Sequence, residues 1–126
     1  MMLSEYRQSY QRLEQLFQQL QIKLTDPAVI NADLKADLAE VQQIQQQIIS
    51  FQVQAADEEA NEETSSLQAQ SQPIQTEVTK QLRLLETDLL FLQSARQAAT
   101  VQQHKQRIYD RLTLLLRYCA AILALE

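Results

Sequence analysis

The 126-residue chain is 45% apolar and 21% charged, with a formal net charge of −5. This is too apolar for a wholly disordered polymer, and at this length one hydrophobic core is expected rather than two. Glycine is absent, proline occurs only at Pro27 and Pro73, and 23 glutamines join Leu, Ala, Glu, Lys and Arg as residues that lose little on entering a helix, which argues against hairpins built on Gly or Asn-Gly turns.

In the first segment Leu3, Tyr6, Tyr10, Leu13, Phe17, Leu20 and Leu24 alternate steps of three and four, the spacing that lays one apolar seam along a helix. Ser4 is placed to cap its start, with Glu5 near the positive helix end. Asp26-Pro27 then breaks the pattern, because proline removes a backbone donor and pushes the residue before it away from the α region. A second helix starts either with Asp26 as cap and Pro27 in its first turn, or with Asn31 as cap. Its stripe is Leu34, Leu38, Val41, Ile44, Ile48, Phe51 and Ala55.

Over 56–72 the apolar periodicity lapses, leaving Leu67 as the one large apolar residue. Asp57, Glu58, Glu59, Glu62 and Glu63 fall within it, and such a block ordinarily reads as a solvated charge run, with an acidic docking tail as the alternative. The segment is therefore expected to be a long, mobile acidic linker, longer than the usual helix–helix connection, with its Ala and Glu leaving frayed helix open for part of it. A third helix is expected from near Pro73, with Ile74, Val78, Leu82, Leu85, Leu89 and Leu92 on one face. Leu84, Leu90 and Phe91 lie beside or beyond that stripe, so the helix either touches several neighbours or leaves one face for a partner.

Neither Gly nor Pro separates Ile74 from Glu126, so a fused final rod and three helices in all is the alternative topology. Phase argues against it: the 16 residues from Leu92 to Ile108 amount to four turns plus about 160°, which would put the two seams on nearly opposite sides of one helix. Thr100-Val101-Gln102-Gln103 also has the pattern of a capping box. A corner is expected at 94–100, followed by a fourth helix packing Ile108, Leu112, Leu115, Cys119 and Ile122. The fold class expected is all-α, an antiparallel four-helix bundle in a single domain.

Reactive chemistry is sparse. His104 is the only histidine and Cys119 the only cysteine, so neither a Cys/His pair nor a zinc-ligand pattern is specified. The Glu-x-x-His repeat of di-metal bundles and the glycines of a phosphate loop are missing. His104 reads as a residue at the edge of the core face, and Cys119 as a small buried hydrophobe that cannot form an internal disulfide. No catalytic, cofactor-binding or metal residues are predicted, and an enzyme ranks last among the functional classes. Met1 to Glu5 has no basic start or apolar run, so no signal peptide is expected. The longest apolar tract, 112–125, contains Arg117 and is too short to span a bilayer. A cytoplasmic protein is expected.

Charge divides along the chain. Residues 1–66 carry 11 acids and 4 bases, and residues 67–126 carry 5 acids and 7 bases. Lys105, Arg107, Arg111 and Arg117 give the last helix a modest basic surface, but without a dense basic stripe or interleaved aromatics nucleic acid is not the expected partner. Around the third helix Asp88 and its neighbouring arginines read as weak surface pairs, while Arg83 and Arg96 offer planar donor forks suited to contacting a protein. Arg83, Arg96 and Gln97 are the candidate protein-binding residues.

KQLRLL at 80–85, DLLFLQSARQAAT at 88–100 and DRLTLLLRYC at 110–119 together resemble the C-terminal half of the PatD, or heterocyst frequency control, family of cyanobacteria. Polar and small residues match between the leucines, across a little over a third of the chain; the N-terminal half contributes no match. The resemblance implies a small cytoplasmic regulator of heterocyst number, linked to the tubulin-like division protein FtsZ. A non-enzymatic protein-binding regulator is thus the leading reading, and a self-associating structural bundle, such as a homodimer, is the alternative.

Overall fold

The computed structural model of the protein describes residues 4–26, 31–57 and 62–125, with side chains placed except at 4, 31–33, 51–57 and 62–69. Among the described residues there are four helices and no strand: α1 (Ser4–Thr25), α2 (Asn31–Asp57), α3 (Glu62–Ser94) and α4 (Ala98–Leu123). At 22, 27, 33 and 26 residues they run about 33, 40, 50 and 39 Å. Leu3, the Ser4 cap, Pro27, and the side chains of Phe51, Ala55, Leu67 and the five clustered acids lie outside the described residues.

Cross-helix side-chain bonds fix both neighbour and direction. On one side of α1, Arg7 donates to the Leu123 carbonyl (3.2 Å) while Gln21 donates to the Thr113 hydroxyl (2.8 Å), so α1 and α4 run antiparallel. On its other side, Lys23 meets Asp37 at 2.7 Å and Arg12 meets Glu40 at 3.0 Å. Gln42 bonds Glu86 and Gln45 bonds Thr79, bringing α2 and α3 together antiparallel through long polar side chains. The circuit closes with Arg111 of α4 on Asp88 and Gln81 of α3. The α1–α4, α3–α4 and α1–α2 pairs make the close backbone approaches. The architecture is an up-down-up-down four-helix bundle.

One continuous core runs through it. The expected seams supply nearly all its members, and the five predicted residues of α4 are its buried residues. Leu16 joins the core although it lies off the alternating α1 pattern, while Tyr6, Leu38 and Ile74 pack against its edge half-buried. Burying a Leu or Ile side chain is worth on the order of 1.5–3 kcal/mol before entropy is subtracted, so these seams dominate the fold's stabilisation.

The structure corrects three boundary expectations. The 56–72 linker is helical at its start, on α2, and from Glu62 onward, on α3. Near its end polar residues take inward positions: Ser71 is buried, as is Gln75 just beyond it, where Leu or Val would ordinarily sit. Pro73 accordingly lies inside α3 rather than at its start. It removes the donor that would reach the Ala69 carbonyl, and it occupies an exposed position. Finally, α4 begins at Ala98, before the predicted capping box; the residue before it, Gln97, has extended backbone (φ −84°, ψ 136°) and makes no side-chain cap. Thr100 falls in the first turn of α4, and the corner itself occupies only Ala95, Arg96 and Gln97.

A candidate protein-docking surface on α3

The corner follows from local bonding. The Ala95 N–H still donates to the Phe91 carbonyl (3.0 Å), ending α3, and Val101 N–H donates to the Gln97 carbonyl (3.0 Å), opening α4. The Ser94 hydroxyl bonds back to the Phe91 carbonyl (3.1 Å), a local alternative to continuing the helix. Folding back here puts Leu92 and Ile108 into the same core, which a straight rod would have pointed apart.

The three sequence-predicted contact residues are all exposed. Arg96 and Gln97 sit side by side in the corner. Arg83 does not join them: it lies 11 residues before the end of α3, about 17 Å along the axis. The side chains of Arg83, Arg96 and Gln97 have no hydrogen bond or ion pair with another described residue. What connects the two locations is the outward face of α3, where Leu90 is 63%, Phe91 50% and Leu84 39% exposed. These are the residues whose place beside the apolar stripe left a free face as one of two readings. Phe91 stacks on His104 of α4, with ring centroids 5.8 Å apart and planes at 24°. His104 is half-buried, and its Nδ1 is buried without a hydrogen-bond partner.

Behind this face lies a polar arrangement that overturns the weak surface-pair reading of Asp88. Asp88 is only 4% exposed. It accepts a bond from Arg111 Nε at 2.9 Å, and Arg111 in turn donates from Nη1 to the Gln81 side chain. Arg107, 56% exposed, approaches the second carboxylate oxygen at 4.0 Å. Sequence reasoning placed Arg111 only in a general basic surface. The signal available was phase: Gln81 and Asp88 are seven residues apart, on one line of α3 facing α4.

Two reactive side chains lie deep in the core. Burial first and the Glu14 carboxylate second push the Cys119 thiol up to about 12. Burial, and then the neighbouring Tyr6, raise Tyr10 far above the ordinary phenol range, with the two rings edge to face at 5.1 Å. A thiol so hard to ionise is a poor nucleophile near neutrality. Among the described residues no group of three or more His, Cys, Asp or Glu side chains could hold a metal ion, and no helix is long and apolar enough to cross a membrane. What this geometry offers chemically is a set of exposed apolar side chains on one helix face beside guanidinium groups that bond no other described residue. No protein-family model matches the chain, and neither does any curated protein or solved structure.

Proposed function

We propose that this protein is a non-enzymatic regulator that works by binding another protein, and that the docking surface runs along the outward face of α3 to the α3–α4 corner. The observation that carries this reading is the exposure of Leu84, Leu90 and Phe91 on that face together with Arg83. Large apolar side chains left in water mark interaction sites when they cluster, and Arg is enriched at the energetic centres of interfaces. Arg83, Arg96 and Gln97 are the proposed polar contacts. On the family resemblance of 80–119, the proposed partner is FtsZ and the proposed role is control of heterocyst frequency in the cytoplasm of a filamentous cyanobacterium.

The test is direct binding of the purified chain to FtsZ, followed by its effect on polymer mass in a sedimentation assay. The proposal expects binding that Arg83→Glu with Arg96→Glu weakens, first through slower association, while the helical signal is unchanged. Absence of FtsZ binding and of any effect on polymerisation removes FtsZ as partner. The same exposed leucines also favour a self-associating bundle, for which a mass measurement across micromolar concentrations is decisive: a monomer throughout removes that second reading.

A further inference from the structure

The outward face of α3 has a sign as well as an apolar stripe. From residue 70 to residue 94 every exposed charged side chain on α3 is a cation, Lys80 and Arg83, although the whole chain is net acidic. The three carboxylates of this stretch are all less exposed than those cations. Asp88 is buried on Arg111, Glu86 is half-buried and held by Gln42, and Glu77 is half-buried. Arg96 continues the positive character around the corner.

The relief of the face is helical. Leu84 and Phe91 are seven residues apart and fall on one line, as Arg83 and Leu90 do on another, each pair offset by only about 20°. Thr87 lies between the two lines, and its hydroxyl bonds inward to the Arg83 carbonyl (3.2 Å), so the groove floor is small and presents no free donor. From Lys80 to Ser94 the face is about 21 Å long, which about 14–16 residues of helix would cover.

Resting on the protein-binding reading above, we infer that the partner segment is an acidic amphipathic helix, which lays apolar anchors at the spacing i, i+3/i+4, i+7 between the two lines of α3 and presents Asp or Glu to Lys80, Arg83 and Arg96. Two lines of ridges around a shallow groove are the complement of another helix's ridge. Arg111 compensates the Asp88 charge, and the exposed cations speed the approach of an acidic partner. An anionic membrane is the less favoured occupant, because the face offers only three large apolar side chains and two helix-borne cations to a flat, extended surface.

A display library of random 16-residue peptides, selected on the immobilised full chain and counter-selected on Arg83→Glu/Phe91→Ser, tests this. Both substitutions fall on exposed residues, so the variant's urea midpoint checks that it folds. The expected result is enrichment of peptides combining carboxylates with Leu, Ile or Phe at helical spacing. Synthesised winners should bind the variant at least about tenfold more weakly and lose affinity as salt rises from about 50 to 300 mM. Enrichment of basic or uncharged sequences, or of none that the variant discriminates against, overturns the inference. So does a homodimer that the variant dissociates, or binding to phosphatidylglycerol vesicles that the variant abolishes. FtsZ binding that survives the double substitution would refute the acidic-helix site and spare the FtsZ reading; selective acidic-peptide binding with no FtsZ binding would do the reverse.

Discussion

Replacing Asp88 by Ala should be among the most damaging polar substitutions in this bundle. The carboxylate is 4% exposed and bonded to Arg111, whose side chain is itself only 16% exposed. Removing it leaves a guanidinium charge in a poorly hydrated site with Gln81 as its remaining neutral partner. Breaking a fully buried pair in this way costs about 3–5 kcal/mol, and the limited solvent access of Arg111 brings the expected loss to about 2–4 kcal/mol. Against a total stability on the order of 5–15 kcal/mol for a domain, that loss is read easily from a urea titration followed by circular dichroism. Arg107→Ala is the internal control, because Arg107 is 56% exposed and 4.0 Å from the carboxylate; its cost should stay below about 0.5 kcal/mol. The double change Asp88→Leu with Arg111→Met removes both charges and replaces them with apolar volume, so it should fall within about 1 kcal/mol of the parent or exceed it. An Asp88→Ala loss below about 0.5 kcal/mol, or a double variant as damaged as the two singles added together, would refute the reasoning.

Leu82→Ala and Leu115→Ala, both in the fully buried core, should each lower stability by about 2–5 kcal/mol, whereas Leu90→Ala on the open face should stay within about 0.5 kcal/mol; urea midpoints distinguish the two classes. Pro73→Ala restores an i to i−4 donor inside α3 and should stabilise by up to about 2 kcal/mol after the greater freedom of the unfolded chain is subtracted, with slower amide exchange over 62–72 as the local readout. The Cys119 thiol, pushed up to about 12 from an ordinary 9, keeps its proton in the folded chain where the unfolded chain has released it. The stability associated with this shift is therefore fully present below about pH 9 and is lost as pH rises from there toward 12, by at most about 1.4 kcal/mol per pH unit. Tyr10 acts in the same sense at still higher pH. Urea midpoints between pH 8 and 10 should fall for the parent and fall less for Cys119→Ala, and equal slopes would contradict the assignment.

The seams were legible because large apolar residues repeat at helical spacing, and the corner was legible because their phase slips by nearly half a turn between Leu92 and Ile108. The start of α3 was not. On either side of Pro73 the buried residues are Ser71 and Gln75, and a rule that counts apolar residues cannot tell a polar residue facing a neighbour from one facing water. Thr100 misled for a related reason: its capping pattern is local, whereas the helix start depends on where packing against α1 and α3 lets the chain turn, three residues earlier, with Gln97 in the cap position. At the candidate site, the sequence singled out Arg83, Arg96 and Gln97 and left Leu84, Leu90 and Phe91 outside the main stripe. It could not say that these apolar residues stay uncovered, because exposure depends on which side of α3 its neighbours occupy.

Polar chemistry settles which side that is. Apolar seams alone would let α3 rotate or slide with modest loss, since a Leu-rich face accepts many partners. Glu86 and Thr79, held by Gln42 and Gln45, tie one flank of α3 to α2, while Asp88 and Gln81, held by Arg111, tie the other flank to α4. A quarter-turn of α3 would strand a buried carboxylate on one side and break two hydrogen bonds donated by glutamine side chains on the other, at a cost of several kcal/mol. With rotation opposed from both flanks, Arg83, Leu84, Leu90 and Phe91 are held outward whatever lies opposite them. Loosening one flank, through Gln42→Ala with Gln45→Ala, should therefore weaken partner binding by more than either residue's distance from the face would explain. That variant should keep nearly its full helical signal. If binding were unchanged while amide exchange along α3 accelerated, the flanking bonds would be ornaments to a register fixed by the leucines alone.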